Sequence, residues 1–264
     1  MHYLDGPRPR LYAHRGGSLE APENTLEAFA NGLAAGADRL ELDVHGTADG
    51  EVVVIHDPTL DRTTDGTGEV RAVRLDEIRR LDAGYRFRAP DGEASFRGRG
   101  VRVPTLAEVL DAFPGVPLNI EIKQREPALE DAVLAVLDRF SARDQVLLAA
   151  EDGRIMERIR ERARGVLTGS SVDDVVAFAE VWEDGRLDGY RPPGVALQVP
   201  PDFLGRPLVT SELVERAHRI GLEVHVWTID DPAEMQRLLA LGVDGLMTDV
   251  PHLATAVLRN LGFR

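Results

Sequence analysis

Two five-residue stretches, Leu40-Glu41-Leu42-Asp43-Val44 and Asn119-Ile120-Glu121-Ile122-Lys123, decide how this sequence folds. Side chains along an extended strand point alternately to its two faces. In the first stretch the leucines and valine share one face, and Glu41 and Asp43 the other. In the second, the isoleucines point one way and Glu121 and Lys123 the other. Strands of this kind suit a closed parallel barrel. Their apolar face packs against an outer ring of helices, and their charged face points into the barrel near its carboxyl end, where barrel enzymes keep their chemistry.

Outward from these stretches, short apolar runs alternate with amphipathic ones almost to the end of the chain. The strand candidates are Leu11–His14, Arg39–Val44, Pro117–Lys123, Gln145–Ala149, Gly165–Thr168, Gly194–Val199, Leu222–Trp227 and Gly242–Thr248. The helix candidates are Thr25–Gly36, Leu106–Phe113, Pro127–Phe140, Arg154–Ala163, Asp173–Trp182, Thr210–Ile220, Pro232–Leu241 and His252–Leu261. Eight strand–helix units in 264 residues predict an α/β protein, a TIM (β/α)8 barrel forming one domain over residues 1–264. Asn24 is a candidate cap for the first helix, with Glu27 in the capping-box position. Gly36, Gly221 and Gly242 stand where helices end in a left-handed residue, and Pro232 suits a first helical turn.

One segment breaks the alternation. Glu51–Ile55 reads as a strand turning back on strand two through Asp49-Gly50, and from Pro58 to Pro104 no clean strand–helix unit follows. A small insertion of that length after strand two is expected to cap the barrel mouth.

Composition narrows the function. Hydrophobic residues make up 43% of the chain, which suffices for a large core. No apolar run approaches the roughly 20 residues that span a bilayer, and the polar, Pro-containing start lacks a secretory pattern, so a cytoplasmic location is expected. Zero cysteines exclude thiolate chemistry and disulfides. A net charge of −14 makes nucleic acid and anionic membranes poor partners and points to a small-molecule substrate held by a local positive site. Of 31 basic residues, Lys123 is the only lysine. Its retention among arginines points to a place for a compact ammonium.

Glu41, Asp43 and Glu121 gathered in one mouth would repel one another unless neutralised. A divalent cation is the simplest neutraliser, and an oxygen-only ligand set favours Mg2+ or Ca2+ over zinc. His14 and His56 end strand-like runs at the same mouth and form a candidate acid–base pair. Arg15 offers a planar fork suited to phosphate. Of the other histidines, His2 lies in a polar terminus and His218 and His252 in helical stretches. His45 is expected to face away from Asp43, and His225 has no assigned role.

Taken together, these residues resemble the glycerophosphodiester phosphodiesterase family. The resemblance rests on His14-Arg15-Gly16, Pro22-Glu23-Asn24-Thr25, Glu41-Leu42-Asp43-Val44, Thr47, Asp49-Gly50, His56-Asp57, Arg62-Thr63-Thr64, Gly68, Pro104-Thr105-Leu106, Glu121-Ile122-Lys123, Trp227-Thr228 and Thr248-Asp249-Pro251. It implies a TIM barrel with a small inserted subdomain and metal-dependent cleavage of glycerophosphodiesters to glycerol 3-phosphate and an alcohol. It also implies that Glu41, Asp43 and Glu121 bind the metal and that His14 and His56 move protons. Arg15 and Lys123 would hold the phosphate, and Trp227 and, less directly, Gln198 would contact substrate. The nucleophile is then either the substrate's glycerol 2-hydroxyl or water.

Three other readings compete. A lysophospholipase D would need an apolar groove for an acyl chain, sought in the insertion, where Tyr85, Phe87 and Phe96 are among the few apolar residues. A phosphate-binding barrel isomerase or synthase would use Gly242-Val243-Asp244-Gly245 and no metal. A non-catalytic binder would leave the reactive positions idle. The oligomeric state, the metal's identity and the favoured alcohol are not encoded in any pattern of the chain.

Overall fold

The computed structural model describes residues 2–264. Its first barrel strand, β1 (Arg10–Ala13), leads through the helix α1 (Leu26–Ala34) to β2 (Arg39–Gly46). A short β3 (Val52–Val54) pairs antiparallel with the end of β2, Val44 opposite Val54, so the expected hairpin at Asp49-Gly50 forms. Residues 58–104 follow, with one four-residue helix, α2 (Leu75–Ile78). Regular alternation then resumes with α3 (Leu106–Ala112), β4 (Leu118–Ile122), α4 (Glu130–Arg139), β5 (Val146–Ala149) and α5 (Gly153–Arg162). Next come β6 (Leu167–Thr168), α6 (Val172–Glu183), β7 (Ala196–Val199) and a two-strand ribbon, β8 (Asp202–Phe203) with β9 (Arg206–Pro207). The chain ends with α7 (Ser211–Arg219), β10 (Glu223–Val226), α8 (Pro232–Ala240), β11 (Gly245–Thr248) and α9 (Pro251–Asn260).

Among the described residues, eight parallel strands run β6-β5-β4-β2-β1-β11-β10-β7. The two ends meet through a parallel bridge between Gly169 and Ala196, closing the barrel. The closure depends on Gly194, where a Cβ atom would lie 2.5 Å from the Gly169 carbonyl oxygen. Every expected barrel strand and outer helix is present, with ends displaced by a few residues.

The apolar faces do what the alternation required. Leu40, Leu42, Val44, Leu118, Ile120 and Ile122 are buried in the main core between barrel and helices. Each such side chain contributes roughly 1.5–3 kcal/mol of burial free energy. Residues 58–104 carry a smaller core of their own, with Leu60, Val70, Ile78, Val101 and Val103 packed against Val53 and Ile55.

The barrel floor is polar and sealed. Tyr3 and Tyr12 are buried there, and the Arg10 guanidinium pairs with Glu223. The His225 Nε2–H donates to Glu223 Oε2 at 2.9 Å. Burial alone would raise the Glu223 carboxyl, but the bonds from His225 and Arg10 outweigh it and hold the group at about 2. Gly242-Val243-Asp244-Gly245 belongs to this end too, since it leads into β11, whose first residue is Gly245. Asp244 accepts bonds from the Val224 amide at 2.8 Å and His218 Nε2 at 2.7 Å. A phosphate loop would have to face the opposite end, so that reading is corrected here.

Candidate active site

The site begins with register. β2 and β4 pair in parallel with Asp43 opposite Glu121 and Glu41 opposite Asn119. Glu41 lies two residues before Asp43, on the same face. Their carboxylates and that of Glu121 therefore meet at the strand ends, with one oxygen from each within 4.8 Å of the others. Glu41 and Asp43 are buried.

Three further groups fix the cluster. The Lys123 ammonium lies 2.8 Å from Glu121 Oε1 and 3.5 Å from Asp43 Oδ1. The Arg15 amide donates to Glu41 Oε2 at 3.0 Å, while its guanidinium Nε lies 3.3 Å from Asp43 Oδ2. The Asn24 side-chain amide donates to Asp43 Oδ2 at 2.9 Å. This last contact corrects an expectation. Thr25 caps α1, accepting from the Ala28 amide, and Asn24 holds Asp43 instead. Asn24 has φ 57°, a left-handed conformation that asparagine tolerates better than most residues.

These cations do not balance the cluster. Burial, then the neighbouring Asp43 charge, pushes Glu41 up to about 7. Burial also raises Glu121, with repulsion from Asp43 added and Lys123 opposing. Asp43 falls below the usual carboxylate range because Lys123, Arg15 and His56 overcome its burial. A carboxyl displaced to neutrality marks a deficit of positive charge. The oxygen-only donor set fits a hard divalent cation that would make up the deficit.

The two histidines are held alike. His14 sits in a tight turn, residues 14–16, that leaves β1. Its Nδ1–H donates to Asp249 Oδ1 at 2.7 Å, leaving Nε2 facing Glu41 Oε2 at 3.8 Å. His56 uses Nδ1–H on Asp57 Oδ1 at 2.8 Å. In both, a carboxylate on Nδ1 fixes the tautomer and leaves Nε2 free for chemistry. Burial disfavours the charged His14 ring, yet Glu41 and Asp249 raise it above its ordinary range. Asp249 is in turn held by its own amide, which donates to Asp230 Oδ1 at 2.8 Å. Arg62, from the insertion, binds both Asp57, at 2.7 Å, and Glu23, at 2.6 Å.

His45 corrects a second expectation. It stands two residues beyond Asp43 and so shares its face, and its buried ring donates Nε2–H to the His56 carbonyl at 3.0 Å. It is a support for His56. Asp249, Asp57, Arg62 and His45 were assigned no role from the sequence. Adjacency to His56 was a signal for Asp57, but nothing local joins His14 to a residue 235 positions away.

His14, Arg15, Glu41, His56, Glu121, Lys123, Gln198 and Trp227 line one cavity of about 550 Å3 at the mouth. Asp43 lies beneath it. Gln198 donates its side-chain amide to Asn119 Oδ1 at 2.8 Å. Tyr85, Phe87 and Phe96 are not in this wall. Phe87 and Phe96 instead stack edge to face within the insertion, 5.3 Å apart.

Residues 14–253 match the model of the glycerophosphoryl diester phosphodiesterase family. The chain belongs to this family. A glycerophosphodiester phosphodiesterase from Caldanaerobacter subterraneus subsp. tengcongensis is 33% identical over 258 residues, covering 96% of this chain and 98% of that protein. The crystal structure of a glycerophosphodiester phosphodiesterase from Agrobacterium tumefaciens superposes with TM-score 0.76 at 30% identity, over 94% of this chain and 99% of that one. A phosphodiesterase from Oleispira antarctica, solved with its product sn-glycerol-3-phosphate, superposes with TM-score 0.78 at 26% identity, over 96% and 97%. Among the described residues no helix is long and apolar enough to cross a membrane.

Proposed function

We propose that this protein hydrolyses glycerophosphodiesters to glycerol 3-phosphate and an alcohol, using one divalent cation, Mg2+ or Ca2+, and a histidine pair. The observation that carries the reading is the convergence of Glu41, Asp43 and Glu121 beside His14 and His56 on one cavity. Family membership supports the reaction class.

In this reading Glu41, Asp43 and Glu121 hold the cation. When bound, it supplies Lewis-acid charge beside the phosphoryl oxygens. Arg15 and Lys123 orient the phosphate and offset charge that grows in the transition state. One histidine removes the nucleophile's proton through Nε2, and the other delivers a proton to the departing alkoxide. Asp249 and Asp57 keep the rings in the tautomer these transfers need. Trp227 and Gln198 contact the rest of the substrate. Residues 58–104 cap the mouth, a role supported by the grip of Arg62 on Glu23 and Asp57.

The test is a coupled assay for glycerol 3-phosphate over a panel of glycerophosphodiesters, with lysophosphatidylcholine included. Release of glycerol 3-phosphate is expected. Choline released without glycerol 3-phosphate would overturn the assignment. A diester lacking the glycerol 2-hydroxyl separates the two nucleophiles, because its normal turnover would rule out attack by that hydroxyl.

A further inference from the structure

Below the carboxylates, the inner face of β4 continues with Asn119. It stands two residues before Glu121 on that face and opposite Glu41 of β2 in register. A parallel strand rises about 3.3 Å per residue, so Asn119 lies roughly 7 Å closer to the barrel floor than Glu121. It is buried and lines the base of the cavity beside Ala149, Trp227 and Met247.

The floor decides which way this amide faces. Burial holds the His225 ring below its ordinary value, so it is neutral. Its Nε2–H is committed to Glu223, which leaves Nδ1 with a lone pair. Gln198 Nε2 and the Tyr12 hydroxyl both face that nitrogen at 3.5 Å. Gln198 Nε2 also donates to Asn119 Oδ1 at 2.8 Å, and the Tyr3 hydroxyl faces the same oxygen at 3.4 Å. Reversing both amides would set the Gln198 oxygen against the Nδ1 lone pair. Oδ1 of Asn119 is therefore spent, and the planar amide turns Nδ2 the other way. That nitrogen carries two N–H donors. Among the described residues it donates to no protein group, and it is not sealed away from the cavity.

Unspent donors beside a carboxylate cluster select a particular ligand group. A phosphate oxygen only accepts, and it is already provided for by Arg15 and Lys123. A hydroxyl both gives and takes: its proton can go to a carboxylate while its oxygen accepts from Asn119. On the glycerol of a phosphodiester, the hydroxyl farthest from the phosphate is the terminal one, which matches the depth of Asn119.

We propose that Asn119 is a specificity-determining residue whose Nδ2 donates to the terminal hydroxyl of the substrate's glycerol, with Gln198 as the positioning residue that holds its amide in that sense. This rests on the hydrolase reading above and deepens it: the phosphate sits against Arg15 and Lys123, and the glycerol points inward to β4. A diester lacking the terminal hydroxyl leaves a buried donor pair without an acceptor, which is costly.

The test measures binding by calorimetry, with Mg2+ present, of glycerol 3-phosphate and of two analogues, one lacking the terminal hydroxyl and one lacking the 2-hydroxyl. The parent protein should bind glycerol 3-phosphate about tenfold or more tightly than the analogue without the terminal hydroxyl. Asn119→Ala should reduce that ratio to about twofold or less, and Gln198→Leu should reduce it by about threefold. Damage to the fold would weaken all three ligands together, whereas loss of the donor changes the ratio. If Asn119→Ala does not fold, the parent ratio and Gln198→Leu still decide. A parent without the preference, or a preference that survives both substitutions, would overturn the assignment. So would variants that lose discrimination only against the analogue lacking the 2-hydroxyl. Equal weakening of all three ligands, together with weaker binding of Mg2+ alone, would mean that Asn119 serves the carboxylates and would also overturn it. Release of glycerol 3-phosphate from glycerophosphocholine is scored separately. Turnover without the terminal-hydroxyl preference keeps the hydrolase reading and removes the role of Asn119. The preference without turnover of any diester does the reverse.

Discussion

His14 and Asp249 are joined at 2.7 Å through Nδ1 and Oδ1, across 235 positions of sequence. His56 repeats the arrangement with its neighbour Asp57 at 2.8 Å. Each ring is therefore held at one nitrogen and left free at the other, an arrangement suited to proton transfer.

Asp249→Asn should keep the fold and lose the tautomer. We expect kcat to fall about 10²-fold or more, by analogy with the steep cost of turning a catalytic imidazole the wrong way, and KM to move less than about threefold. His14→Ala and His56→Ala should each cost about 10²–10⁴ in rate. Steady-state kinetics on glycerophosphocholine check all three. Losses below tenfold in both alanine variants would remove the histidines from the chemistry.

Lys123 reaches Glu121 and Asp43 together, at 2.8 and 3.5 Å. A guanidinium is larger, planar and differently directed. Lys123→Arg should thus lower kcat/KM by roughly 10²-fold despite preserving the charge, by analogy with the sensitivity of catalysis to misplaced groups. Near-normal kcat/KM would show that only the positive charge matters there, and that the retention of this lysine carries no meaning.

Glu223 on the barrel floor makes stability depend on pH. Its folded value of about 2 lies below the ordinary 4.5. The stabilisation is therefore complete above about pH 4.5 and is lost as pH falls toward 2, amounting to about 2–4 kcal/mol. His225, depressed by burial, adds a fall in the same direction that begins near its ordinary 6.5. Glu223→Gln leaves Arg10 without its buried partner and should cost about 3–5 kcal/mol at pH 7. Urea unfolding from pH 7 to 3 should show the gap between variant and parent narrowing. A gap that stays constant would mean Glu223 is not ionised in the folded protein.

Much of this was legible in the chain. Alternation in Leu40–Val44 and Asn119–Lys123 has a period of two, and a period of two leaves a strand few choices once one side is buried. Glu41, Asp43, Glu121 and Lys123 followed from that alone. What escaped depends on contacts between distant segments. Asp249 meets His14 only because β11 closes beside β1. Asn24 looks like a cap because asparagine caps well, but Thr25 serves as well and frees Asn24 for Asp43. The acyl groove of the lysophospholipase D reading was sought in the insertion, whereas the apolar residues lining the cavity come from α6 and the β8–β9 ribbon. The valines of α6 leave only a helical period, and periodicity reports that a helix face is apolar and not what covers it. The strands of the β8–β9 ribbon, two residues each, are too short to leave a periodic signal.

The account stands or falls on three carboxylates sharing one cation. The most direct measurement is glycerol 3-phosphate release from glycerophosphocholine by protein stripped with EDTA and then refilled. Release should stop on chelation and return with Mg2+ or Ca2+, and Glu41→Gln and Glu121→Gln should not recover under the same refilling. Undiminished release by the chelated protein would contradict the account.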